Sequence, residues 1–178
     1  MKTKSRTNKI LIVLLSVIIV LTILSYLTGY SIVLPISGNK KAYLKEEAKP
    51  GDEIAIFSKY DFSKGDWKAY IVIGIDDFGD LHSSIKKRTC LKTTNRGLLQ
   101  QMKKSWIFKV TESDAGTVAS DFYLFKNGEL VYKSGIILLK TSQRLQNEEY
   151  GEMIPLDSAA IIRSCQQFQR VYWPVVIL

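Results

Sequence analysis

No charged residue lies between Lys9 and Lys40, and residues 10–24 are almost entirely isoleucine, leucine and valine. An α-helix needs about 20 mostly apolar residues to cross the roughly 30 Å hydrocarbon core of a bilayer. Residues 10–34 supply that length, because the run continues through Tyr26, Leu27, Tyr30, Ile32 and Val33. Peptide groups in hydrocarbon can be satisfied only within the segment, so a helix is its expected state. The sequence thus predicts a basic tail at 1–9, a transmembrane signal-anchor helix at 10–34, a tether at 35–50 and an exported domain at 51–178.

A cleaved signal peptide competes with the anchor, since Lys2, Lys4, Arg6 and Lys9 form a basic n-region and Gly29-Tyr30-Ser31 is a passable cleavage triplet. The apolar run, however, outlasts the usual h-region, and Tyr26 and Tyr30 sit where an aromatic belt meets the headgroups. The four basic residues before the helix favour a cytoplasmic N-terminus and an extracytoplasmic domain, periplasmic if the cell has an outer membrane. Neither cysteine follows the apolar run closely enough for a lipoprotein. The segment at 171–178 is apolar but too short to span as a helix.

Net charge is +8, but four of the 25 basic residues precede the helix and all 17 acids follow it, which leaves the domain near +4. Between Leu81 and Thr111 there is no acid, while Lys86, Lys87, Arg88, Lys92, Arg96, Lys103, Lys104 and Lys109 all fall there. Such an excess creates a positive field that can steer an anionic partner: lipid headgroups, an acidic glycan or an acidic protein face. Nucleic acid is disfavoured by the compartment. A solvated surface, balanced by acids from distant sequence, is the competing account. The two cysteines, Cys90 and Cys165, suggest one disulfide if the domain is exported, against two buried free thiols.

Strands dominate the domain. Residues 53–59 and 67–76 read as the first two, and 81–89 as an antiparallel return after the turn-forming Asp76-Asp77-Phe78-Gly79-Asp80. Thr94 or Asn95 can cap a helix through Trp106, in which Leu98, Leu99, Met102 and Trp106 share a face. Strands follow at 106–111 and 117–126. Asn127-Gly128 then joins 117–126 to 129–140 as a two-residue type I′ hairpin, because both central positions need positive φ. Residues 141–151 are polar and read as loop. A helix is expected over 155–168, with Ile161, Ile162, Cys165 and Phe168 on one face. Residues 171–178 read as a strand that Pro174 confines to an edge. A short helix at 41–47 completes the reading. The class is α+β: one transmembrane helix, then a small, mostly antiparallel sheet domain with about two helices.

No residue set assembles a catalytic or cofactor site. Asp76, Asp77, Asp80 and His82 are the densest metal-capable group, but their order does not fit a calcium loop, and a hairpin turn explains them. His82 is the only histidine, and no G-x-S-x-G elbow accompanies any serine. Gly74 and Gly79 have the spacing of phosphate-loop glycines, with Asp80 where the lysine belongs. The layout resembles that of membrane-anchored signal-peptidase-type enzymes, yet Ser37 is followed by Gly38-Asn39 rather than methionine, and Lys68 has no supporting pattern. Tyr172-Trp173, on a Pro-bearing edge, can anchor a partner through aromatic contacts and strand addition. The expected function is therefore non-enzymatic: a tethered module that binds another envelope protein, in an accessory, regulatory or toxin-immunity role. Binding of anionic lipid or glycan through 86–104, and a membrane-tethered hydrolase or peptidase, are the alternatives.

Overall fold

The computed structural model describes residues 3–35, 48–112 and 118–178. The expected helix at 41–47, most of the tether and Ser37 lie outside the described residues.

The first helix, α1 (Thr3–Thr28), is mostly apolar on all sides from Ile10 onward. Leu11, Val13, Leu14, Ile18 and Leu27 all stand exposed, and no protein layer covers the helix over most of its length. A helix bare and apolar all round belongs in an apolar medium. By length and composition its Asn8–Thr28 part is able to cross a membrane, a description that an N-terminal signal sequence also meets.

The helix stops at Thr28, not at residue 34 as its composition predicts. Gly29 takes φ +81°, the left-handed conformation that ends helices, while its N–H still reaches the Ser25 carbonyl at 3.1 Å. Residues past it become strand β1 (Ile32–Leu34), paired in parallel with the last strand, β11 (Val175–Ile177). Apolar residues can serve either element, and the distant partner strand decides.

The domain has a nine-stranded, mostly antiparallel sheet and two further helices. Its strands are β2 (Glu53–Ala55), β3 (Trp67–Val72), β4 (Cys90–Thr93), β5 (Ile107–Val110), β6 (Asp121–Lys126), β7 (Glu129–Leu138), β8 (Gln143–Asn147), β9 (Gly151–Pro155) and β10 (Gln169–Arg170). They lie in the order β10-β4-β3-β6-β7-β8-β9-β5-β2. In a flat sheet, β6 and β5 would lie roughly 19 Å apart, four steps of about 4.8 Å. Trp106, one residue before β5, nevertheless has its ring 5.3 Å from that of Phe122 in β6. The sheet must therefore curl, and its concave face holds Phe57, Phe62, Trp106, Phe108, Phe122 and Tyr132. Helices α2 (Arg96–Ser105) and α3 (Ser158–Gln166) close this face with Leu98, Leu99, Met102, Ile161, Ile162 and Cys165.

Local signals placed several elements well. Asn95 caps α2 by accepting from the Leu98 N–H at 3.2 Å, as expected. Asn127 and Gly128 both take positive φ between β6 and β7.

Other segments departed from expectation. Strand β2 ends at Ala55 rather than at residue 59, because consecutive Ile56 and Phe57 are both buried and only a turn can send both inward. Strand β3 stops at Val72, and Ile75–Phe78 forms a 3₁₀ turn. The segment at 81–89 does not return along β3. Leu81 makes one bridge, to Leu139, and β3 pairs instead with β4 on one side and β6 on the other.

The polar stretch at 141–151 is not a loop, since it carries β8 and the start of β9. Leu145 is the only buried residue of β8, and backbone pairing to β7 and β9 holds the strand whatever its side chains. Pro155 ends β9 instead of starting α3, which Asp157 caps. Of the strand expected at 171–178 only β11 forms, in a separate two-stranded sheet with β1, while β10 precedes it on the edge of the large sheet.

Candidate functional site

Strand periodicity decides the fate of the two cysteines. Leu91 pairs with Ile71, and both belong to the concave-face core. Cys90, its neighbour, points the other way, opposite Val72. Cys165 lies in α3, within the concave-face cluster. The sheet therefore stands between two buried free thiols, and the expected disulfide is absent. Burial pushes the Cys90 thiol up to about 12, with Arg88 and Lys92 opposing the shift, and raises Cys165 as well. Neither thiol has the character of a nucleophile.

The convex face meets the exit of α1 at one junction. The Gly29 carbonyl accepts from the Thr89 N–H at 3.1 Å, and the Ser31 N–H donates to Thr89 Oγ1 at 2.7 Å. A Cβ on Gly29 would lie 3.2 Å from the Lys87 carbonyl oxygen, so the backbones pass closely. Arg88, 2% exposed, crosses this junction. Its Nη2 donates to Ser25 Oγ at 2.9 Å and its Nε to the Val171 carbonyl, while its guanidinium lies 4.4 Å from the centre of the Tyr172 ring. Desolvation lowers the Arg88 pKa, an effect partly offset by Tyr172, and no ion pair of Arg88 occurs among the described residues. Polar acceptors and an aromatic face thus take the place of a counter-ion. The Tyr26 and Tyr172 rings lie 5.4 Å apart, and Tyr30 stacks on Phe78 at 5.5 Å.

A shallow groove of about 450 Å³ opens beside this junction, lined by Tyr70, Lys92, Arg170, Tyr172, Trp173 and Ile177 among others. Lys92 stands over the Tyr70 ring, its Nζ 5.6 Å from the centre. Trp173 is 69% exposed.

The other basic candidates do not form one strip with these. Lys86 donates to the Phe168 carbonyl near the junction, and Lys87 is exposed there. Arg96 donates to the carbonyls of Ser63 and Gly65, and Lys103 to that of Tyr60, at the far end of the β3–β4 pair. Lys104 is exposed on α2. The length of β4 separates the two groups, which share a stretch of sequence but not a place.

The acidic turn is structural in its bonding. Ser120 Oγ donates to Asp77 Oδ2 and accepts from the Gly74 N–H at 3.0 Å. A Cβ on Gly74 would come within 2.7 Å of the Ala119 carbonyl oxygen, so this glycine serves a close backbone approach. His82 Nδ1 accepts from the Ser84 N–H at 3.3 Å, and the ring borders a second shallow cavity of about 350 Å³ with Lys140, Gln143 and Arg163. Lys68 pairs with Asp66 at 2.8 Å on an exposed rim. Among the described residues, no three His, Cys, Asp or Glu side chains gather into a group able to hold a metal.

Sequence reasoning missed Ser25, Thr89 and Arg170. The sequence did not single out Ser25, because Ser16, Thr22 and Thr28 are also hydroxyl residues of α1; only its burial at the junction sets it apart. Searches with protein-family models, against curated proteins and against solved structures found no match to this chain.

Proposed function

We propose that this chain is a single-pass membrane protein whose folded domain binds another membrane or envelope protein and carries out no catalysis. In this reading α1 crosses the bilayer with its N-terminus in the cytoplasm, and the α+β domain lies on the other side. The bare apolar surface of α1 supports the anchor, since the fold covers it only near its last turn among the described residues.

The observation that carries the binding role is the groove beside the helix exit. It combines Tyr70, Tyr172, Lys92 and Arg170 in one concavity. Aromatic residues and arginine dominate the energetic centres of protein interfaces. The junction through Arg88 and Thr89 adds a fixed pose, so the groove is presented at a set height and angle to α1 rather than on a swinging tether. Such a pose suits a partner held by the same membrane.

The test is site-specific photo-crosslinking from Tyr70 in the full chain, in its own cells. One reproducible protein adduct, weakened by Lys92→Glu and Arg170→Glu without loss of folding, is expected. Adducts with no preferred protein, unchanged by these charge reversals, would count against the reading. Binding of anionic lipid is the second reading, favoured by the exposed Lys87 at the helix exit. Under it, adducts would form with lipid instead, and binding would weaken as salt is raised.

A further inference from the structure

The domain does not sit clear of the last turn of α1. Tyr172 packs beside it: its ring lies 5.4 Å from that of Tyr26, and its carbonyl oxygen lies 3.5 Å from Ser25 Oγ. The depth of Tyr26 follows from helix geometry. At 1.5 Å per residue it stands roughly 25 Å along the axis from Lys9, the last charge of the tail. The hydrocarbon core is about 30 Å thick. If α1 spans the bilayer, Tyr26 lies at the outer edge of the hydrocarbon, and whatever touches it lies there too.

We infer that the Tyr172-Trp173 corner is a second membrane contact, with Trp173 inserted at the interface of the bilayer that α1 crosses. This rests on the anchor reading of α1. Trp173 is 69% exposed, next in sequence to a residue held against the helix, and Ile177 beside it in the groove wall is 63% exposed. A tryptophan at this level has an apolar body for the acyl chains and an N–H donor for lipid carbonyl or phosphate oxygens. Arg88 holds the corner down through Ser25, Val171 and Tyr172, so the contact is built into the fold. It limits tilting of the domain over the membrane and faces the groove along the bilayer surface.

The chain carries its own reporter. Of its three tryptophans, Trp67 and Trp106 are 2% and 0% exposed, so quenchers reach Trp173 first. Full-length protein is reconstituted into phosphatidylcholine vesicles with brominated acyl chains, and emission is compared with that of Trp173→Phe. We expect a component quenched by bromolipid, shielded from aqueous iodide, and missing in Trp173→Phe. Protein that floats with the vesicles but shows Trp173 open to iodide and untouched by bromine overturns the second contact alone. A Trp173 shielded from both quenchers also overturns it, because protein would then cover the corner. Protein that does not float with the vesicles overturns the anchor itself and the inference with it.

Discussion

The Arg88 guanidinium lies 4.4 Å from the centre of the Tyr172 ring, and the same side chain donates to Ser25 in the last turn of α1. One buried arginine thus ties together the helix, the loop before β4 and the segment before β11. Its removal takes hydrogen bonds from Ser25 and Val171 at once and leaves a cavity beside Tyr172.

Arg88→Ala is expected to lower the stability of the full chain by about 1–3 kcal/mol, the usual cost of leaving buried polar groups unsatisfied. Arg88→Lys should recover only part of that, since an ammonium cannot reproduce the fork of a guanidinium. Denaturant midpoints measure the first effect, and the rate of chymotryptic cleavage at Tyr30 and Tyr172 measures loosening of the junction. Wild-type values in both assays would show that the junction does not depend on Arg88.

Gly74 and Gly79 stand at the spacing of a phosphate loop but differ in their surroundings. A Cβ at Gly74 meets Ala119 at 2.7 Å, whereas one at Gly79 meets nothing within 4 Å. Gly74→Ala should cost about 1–3 kcal/mol through overpacking, and Gly79→Ala should be close to neutral. Thermal unfolding of the two variants side by side decides it. Equal effects would contradict the close approach at Gly74.

The thiols provide a check on the face assignment. Cys90, with its thiol pushed up to about 12, and Cys165, fully buried, should both resist iodoacetamide in the native protein at pH 8. Both should label in urea with no reductant present. A need for reductant would mean that the two are bonded and that the sheet does not lie between them.

Asp157 caps α3, and the N–H of Ala160 holds its carboxyl below the ordinary carboxylate value, with help from Arg163. A depressed folded pKa gives stability that is fully present above the unfolded value, about 3.9, and is lost as pH falls through the folded value. Stability measured between pH 6 and pH 2 should therefore decline less steeply at the acid end in Asp157→Asn than in wild type. Parallel curves would remove Asp157 from the acid response.

Short-range rules read α2, its Asn95 cap and the Asn127-Gly128 turn correctly, because each depends on atoms within a few residues of one another. They failed on β8, whose side chains are polar except for Leu145 and whose ladder bonds run to β7 and β9. They also failed on Cys90 and Cys165, where the expected redox compartment suggested a bridge but the sheet places the two free thiols on opposite faces. The basic run from Lys86 to Lys104 read as one patch, and β4 carries its halves to opposite ends of a strand pair.

By itself the sequence determined an apolar helix near the N-terminus and an α+β domain after it, since composition and period act along the chain. Only the tertiary structure decided where that helix ends and what it touches. Parallel pairing of Ile32–Leu34 with Val175–Ile177 rests on backbone hydrogen bonds between distant segments, and no local pattern of side chains encodes such a partner.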